Sequence, residues 1–383
     1  MDLKPENLAE IRRDFHRFPE LGFQEKRTKD KIASYLKELG LDVYYGSGIV
    51  GLLRVGHGTK VIGLRADMDA LPIQETNTHN YISKNKGIMH ACGHDGHMTM
   101  LLGAAHKLST NTNFNGTIVF IFQPNEEHGL GAKAMMDEGL LENFPMQEIY
   151  GMHNLPGVPT GELLTRSGII CSSESLFEIK IKGMGGHSSM PQMGRDTITI
   201  GAEIVQALQT IISRRIASGS GAVVSVTEFI SNGQRNVLPG ETILKGDVRT
   251  RRPDDRKKIE LFLHQITSGI ASAHDIEIEV SFETEFIETN NHIKPTEAVL
   301  KTAKKSGLKV TDCKPMSFSE DFAHFSNAVP GCFFLFGNGI DGANNKPLHS
   351  SDYDFNDDLL PIGADFWANL AKNRLSTEGS NSV

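Results

Sequence analysis

The eight residues His90-Ala91-Cys92-Gly93-His94-Asp95-Gly96-His97 put three imidazoles, a thiol and a carboxylate together immediately ahead of a helix-like run. Thiolate sulfur and neutral imidazole nitrogen both bind divalent transition metals, so Cys92 and His94 are read as candidate ligands. Gly93 and Gly96 let the backbone turn sharply there. A polar loop capping the next helix is the competing reading, and ligands further along the chain have to decide. Candidates exist in Glu126-Glu127 after an apolar run at 117–123, in His153 after another at 148–152, and in His349 within a Gly/Asn-rich loop.

Neighbouring carboxylates after an apolar strand repel one another unless cations are near. If one ligates, the other is free to act. A free carboxylate beside a metal is what metal-assisted hydrolysis requires: the ion acidifies water and polarises a carbonyl, and the carboxylate takes the proton. The alternative for the pair is a solvated helix N-terminus stabilised by the helix dipole.

These residues need a scaffold that gathers distant segments. Apolar spacing predicts two amphipathic helices between residues 5 and 40, split by Pro19 and Gly22, then short strands at 43–45, 50–55 and 61–66. A helix at 98–108 and buried strands at 117–123 and 148–152 follow. Strands alternating with helices mean an α/β unit with a mixed, largely parallel sheet flanked by helices, whose ligands gather beyond the strands' C-terminal ends. Near residue 175 the pattern changes to strand 176–182, helix 196–216, strands 222–229 and 241–249, helix 255–274 and strand 276–282. That βαββαβ order describes a ferredoxin-like unit inserted into the first. The expected division is 1–174 and 290–375 for the α/β domain, 175–289 for the insert and 376–383 for a polar, disordered tail.

With 383 residues, two domains are the prior expectation. A net charge of −8 argues against nucleic acid or an anionic membrane as partner. No run of about 18 apolar residues suggests a membrane span, and residues 1–6 lack the pattern of a secretion signal, so a cytoplasmic protein is expected. Cys92, Cys171, Cys313 and Cys332 lie too far apart for a disulfide scaffold and are read as reduced thiols.

Six motifs together resemble one family, the aminoacylase and hippurate hydrolase type of metal-dependent amidohydrolases, which also holds auxin-amino-acid hydrolases and N-acetyl-diaminopimelate deacetylases. They are the stretch Arg12-Arg13-Asp14-Phe15-His16-Arg17-Phe18-Pro19-Glu20-Leu21, the stretch Arg65-Ala66-Asp67-Met68-Asp69-Ala70-Leu71-Pro72, the His90–His97 cluster, Gln123-Pro124-Asn125-Glu126-Glu127, Gly185-Gly186-His187, and Ser319-Glu320-Asp321-Phe322. The similarity spans residues 8–372. It implies two divalent ions per subunit (zinc, manganese, cobalt or nickel), held by Cys92 as a bridging thiolate with His94, Glu127, His153 and His349, and Glu126 as general base. The substrate implied is an N-acyl amino acid, cleaved to a carboxylic acid and a free amino acid. The insert becomes a lid that also mediates homodimerisation, with His187 and Asn236 holding substrate or oxyanion and Arg249 facing a substrate carboxylate.

Related metallo-carboxypeptidases use a bridging carboxylate and a His-x-Asp ligand. Here Asp67-Met68-Asp69 occupies that stretch, so Asp67 and Asp69 are read as groups that orient ligands. His90 and His97 are read as locally satisfied histidines. The chain departs from the family pattern at His128, Leu130, Phe318 and Ser351, none of which is an expected ligand. A dipeptidase or carboxypeptidase on the same scaffold is the nearest rival function, and a non-catalytic metal- or amino-acid-binding protein is the rival from another class.

Overall fold

The computed structural model describes residues 7–376. The tail expected from residue 376 therefore lies, Ser376 apart, outside the described residues, as does the stretch 1–6. Contacts divide the chain into two units. The first takes the described residues up to Ile170, Thr289–Lys314 and those from Asp321 onward; the second takes Cys171–Glu288 and Pro315–Glu320.

In chain order the main strands are β1 (Asp42–Tyr45), β2 (Ile49–Val55), β3 (Val61–Asp67), β4 (Gly116–Gln123), β5 (Glu148–Pro156), β6 (Leu163–Thr165), β7 (Ser173–Lys182), β8 (Val223–Ser231), β9 (Glu241–Thr250), β10 (Glu277–Phe286), β11 (Val310–Asp312) and β12 (Gly331–Gly339). The helices that matter below are α1 (Leu8–Arg17), α2 (Lys26–Glu38), α3 (His94–Thr110), α4 (Thr197–Thr210), α5 (Pro253–His274) and α6 (Leu359–Leu375).

The first unit holds an eight-stranded mixed sheet in the order β1-β2-β4-β3-β5-β12-β6-β11. Its centre is parallel: β3 runs alongside both β4 and β5, and β12 alongside β5. Every residue of β4 and β12 is buried, as expected of strands covered on both faces. Helices α3 and α6 pack on each other and carry a continuous apolar core with Phe334, Phe336 and Trp367. The α/β expectation holds, and one consequence decides the chemistry. Because β4, β3 and β5 are adjacent and parallel, their C-terminal ends lie along one edge, bringing together Asp67, the turn after Gln123, and His153.

Two boundaries near the strand edge differ from the sequence reading. Helix α3 begins at His94 rather than at 98, with Gly93 as its N-cap at φ +93, so His94, Asp95 and His97 occupy its first turns. Strand β5 continues through His153 and Asn154 to Pro156, because pairing with β12 extends beyond the apolar run.

The second unit is an antiparallel sheet in the order β8-β9-β7-β10, which is the ferredoxin-like arrangement of a βαββαβ chain. Alternation along β7 and β9 sends Phe177, Ile179, Ile181, Leu244 and Val248 to a core shared with α4 and α5. After α4 the chain makes a π-turn at Ile211–Arg215 where one longer helix is expected.

Candidate metal centre

Six expected site residues of the first unit converge at that strand edge. Cys92 Sγ lies 3.2 Å from His153 Nε2 and 3.3 Å from His349 Nε2. Three overlapping groups, Cys92/His94/His153, Cys92/Glu127/His349 and His94/Glu126/Glu127, each hold their ligand atoms within 4.8 Å of one another. Ligands on one tetrahedral ion, with bonds of about 2.0–2.3 Å, stand roughly 3.3–3.8 Å apart. The separations suit direct coordination.

Local structure explains the convergence. His94 Nδ1 donates to the carbonyl of Asp69 at 2.8 Å and His153 Nδ1 to that of Asn154 at 2.6 Å, so both rings turn Nε2 inward. The His349 backbone N–H donates to the Ala91 carbonyl at 2.8 Å, tying its loop to the segment that carries Cys92, and His349 takes φ +64 there. Gly93 cannot be another residue: a Cβ there would meet Asn154 Oδ1 at 2.3 Å and the Tyr353 hydroxyl at 2.7 Å.

The donor set fits a cation on two grounds. His94 Nε2 and Glu127 Oε1 are buried side-chain atoms with no hydrogen-bond partner, and a native structure rarely leaves such atoms empty. Charge makes the same point. Burial, reinforced by the charges of Glu127, Glu126 and Asp67, holds the Cys92 thiol well above its usual range. Burial, aided by Asp69 and Asp67, lifts Glu127 to about 7. For His94 burial opposes the proton, yet Asp67, Asp69 and Glu127 together raise it to about 10. Two adjacent carboxylates, two further aspartates and a thiol thus crowd a few imidazoles, and sulfur with imidazole and carboxylate is a donor set that suits divalent transition-metal ions.

Asp67 and Asp69 lie beside the candidate ligand His94. Asp67 Oδ1 accepts from His97 Nδ1 at 2.7 Å, while its Oδ2 takes the Arg65 guanidinium at 2.9 Å and stands 3.8 Å from His94 Nε2. Asp69 Oδ2 accepts from the Glu127 backbone N–H at 3.1 Å. His97 is satisfied as expected, by Asp67 and by Asn154 Oδ1 at 2.8 Å. His90 is not: it is buried with neither ring nitrogen hydrogen-bonded, and burial lowers it to about 4, so it packs as a neutral ring.

Glu126 is buried beside these groups, and its Oε1 accepts from the Asp321 backbone N–H at 3.3 Å. The turn that carries it is held from afar. Asn125 adopts φ +46, its N–H donates to Glu25 Oε1 at 2.9 Å, and Gly22 permits the close approach, since a Cβ there would strike Asn125 Oδ1 at 1.8 Å. Asp321 Oδ2 fastens the other side through Gln123 Nε2 at 2.6 Å and the Ala132 N–H at 2.8 Å. Sequence reasoning named neither Glu25 nor Asn154 as part of this site, although Asp321 lay within a quoted motif. The Arg12 and His16 motif acquires a place too. Burial opposes a proton on His16, but hydrogen bonds to Asp95 and Glu75 raise it to about 9.

In the second unit, His187 and Asn236 are neighbours on a two-stranded ribbon: His187 pairs with Val237, and the Ser188 N–H donates to the Asn236 carbonyl at 3.1 Å. Both are exposed. Arg249 donates from Nε to Asp247 at 2.9 Å, from Nη1 to Ser319 at 2.9 Å and from Nη2 to Glu174. All four cysteines are buried thiols outside any disulfide. No helix among the described residues is long and apolar enough to cross a membrane.

Comparison with known proteins places the chain in one family. The model of peptidase family M20/M25/M40 matches residues 63–373. The chain is 39% identical over 377 residues to a hippurate hydrolase of Campylobacter jejuni, covering 97% of each. It is 35% identical over 387 residues to thermostable carboxypeptidase 1 of Saccharolobus solfataricus, covering 98% of this chain and 95% of the other. Among solved structures, a dinuclear metal binding peptidase of Bacillus subtilis superposes with TM-score 0.84 at 30% identity, covering 97% of this chain and 98% of that one.

Proposed function

This chain belongs to peptidase family M20/M25/M40, and from that premise we propose that it hydrolyses the amide bond of N-acyl amino acids, releasing a carboxylic acid and a free amino acid. The observation that carries the reading is the buried convergence of Cys92, His94, Glu127, His153 and His349 beside the Glu126 carboxylate, which accepts from the Asp321 N–H. Cys92, His94, Glu127, His153 and His349 would hold two divalent ions. Ions bound there supply Lewis-acid polarisation of the amide carbonyl and lower the pKa of water.

The chain's own residues do the rest. Glu126 takes the proton of the attacking water and hands it to the departing amine nitrogen, the two halves of general acid–base catalysis. Asp321 and the Asn125 turn aim its carboxylate. Asp67 and Asp69 hold the imidazole and the Glu127 loop in register. His187 and Asn236 take substrate-holding parts. Arg249, whose donors are spent on Asp247, Ser319 and Glu174, receives a structural part instead. A homodimer and a cytoplasmic setting belong to the same proposal; buried thiols outside any disulfide support the latter.

A carboxypeptidase relative keeps peptides in play as substrates. Acetyl, benzoyl and indole-acetyl conjugates, assayed beside peptides with free N-termini after loading with Zn²⁺, Mn²⁺, Co²⁺ or Ni²⁺, separate the two. Turnover confined to the blocked substrates is expected, and turnover confined to free peptides would overturn the acyl reading. Glu126→Gln should keep its metal, by mass spectrometry of the purified protein, while turnover falls about 10³-fold.

A further inference from the structure

Away from the Cys92 centre, α1 and the loop after β3 bring a second set of ligand atoms together. His16 Nε2, a Glu75 carboxylate oxygen and a His79 ring nitrogen lie within 4.8 Å of one another. His16 Nε2 is 3.1 Å and His79 Nε2 is 3.3 Å from the same oxygen, Glu75 Oε1. Atoms bound to one tetrahedral zinc at about 2.0–2.1 Å stand roughly 3.4 Å apart, so the array is already spaced for a small cation. We propose that His16, Glu75 and His79 form a third divalent-cation site, of zinc type, sharing no ligand with the Cys92 centre.

The surroundings are those of a prepared site. His16 Nδ1 donates to Asp95 Oδ2 at 2.8 Å, which fixes the ring with Nε2 toward Glu75; a carboxylate behind a histidine in this way raises its basicity as a ligand. Glu75 is itself held, Oε2 accepting from the Ser83 N–H at 2.6 Å and Oε1 from Asn77 Nδ2 at 3.1 Å. The His79 ring stacks on Tyr81, with centroids 3.7 Å apart and planes 17° from parallel. Both His79 nitrogens are buried atoms without a hydrogen-bond partner, although the side chain as a whole is 19% exposed. The exposed edge gives an ion its route in.

Charge closes the case for a dication. Arg12 sits against Asp354 at 3.1 Å, Asp357 at 2.8 Å and Asp95 at 3.5 Å, and Arg13 against Asp357 at 2.9 Å. With Glu75 that makes four carboxylates against two guanidinium charges, an excess of two negative charges around His16. A proton on His16 offsets one of them and leaves His79 unpartnered; a divalent ion replaces that proton, offsets both and gives His79 a partner. Bound there, it fastens α1 to the 75–81 loop and, through Asp95, to the first turn of α3 beside His94.

The test counts zinc. The full-length protein is saturated with Zn²⁺, dialysed against a graded series of chelator, and its zinc per chain read by mass spectrometry, for the parent and for His79→Phe, which preserves the stack on Tyr81. The variant should hold one zinc fewer per chain over part of the series, lose part of the Zn²⁺-dependent rise in Tm, and keep parental turnover. Repeating the pair in a His94→Ala background keeps the outcome separate from the Cys92 centre: the deficit of one should persist when that centre is damaged. His79→Gln, which keeps a polar side chain at this partly buried position, replaces the Phe variant if circular dichroism shows loss of fold. Equal zinc in parent and variants throughout the series overturns the proposal, whatever becomes of the hydrolytic reading.

Discussion

In the first unit His94 Nε2 and Glu127 Oε1 lie buried with no partner, and Cys92 is packed among carboxylates that resist its ionisation. In the second unit the singled-out side chains ask for nothing. His187 is exposed and its Nδ1 accepts from the Ser189 N–H at 3.2 Å, while Arg249 has each donor group on a neighbour. Burying a polar atom without a partner costs free energy that only a bound species returns. Saturated or solvated groups carry no such debt, so residue type alone says little about which histidine is a ligand.

The sharpest way to break that contrast is to damage the unsaturated set. Cys92→Ala or His94→Ala should drop the metal content of the purified protein to background and abolish turnover, whereas Asn236→Ala should leave metal content at the parental value and act on KM or kcat. Parental metal content in both ligand variants would dissolve the distinction.

Glu25 offers a test of next-largest size. Burial, aided by the charge of Asp69, raises it to about 7 from an ordinary 4.5. A carboxyl raised in the fold stabilises below its unfolded pKa, and that contribution is lost as pH climbs through 7. The shift corresponds to on the order of 3 kcal/mol. In Glu25→Gln, which keeps an acceptor for the Asn125 N–H, the fall in Tm from pH 4.5 to pH 8 should be smaller than in the parent. An unchanged slope would mean that Glu25 titrates normally.

Smaller effects follow. Asp67→Asn removes the charge behind His97 and opposite His94, and metal affinity should fall about 10–100-fold; competition against a chromogenic chelator reads it. Arg249→Ala should lower Tm by an amount matching about 1 kcal/mol, since its pairs are partly exposed, with KM for N-acyl amino acids unmoved. A large KM increase would return Arg249 to the substrate carboxylate.

Local chemistry made much of this molecule legible. Helical spacing in 8–39, the fully apolar runs of β4 and β12, and the change to alternating strands after residue 175 are periodicities of 3.6 and 2 that a chain carries without its partners. The Cys92 cluster and the Glu126-Glu127 pair likewise announced themselves by density of ligand types, and their setting at strand ends followed from a parallel sheet. Boundaries were less visible: β5 runs on through His153 because β12 pairs with it, and α3 starts at His94 because Gly93 takes a left-handed turn beside Asn154.

The sequence by itself determined which segments are strand or helix and which residue types could bind a cation. Only the tertiary structure decided that His97 has both nitrogens engaged while His94, one turn away, has one unengaged. It also decided that Glu25 supports a turn 100 residues further on, and that His16 meets Glu75 and His79. The physical reason is range. Periodicity is written in neighbours a few positions apart, whereas the partner of a buried polar atom is chosen by whichever distant segment the packed core brings alongside it.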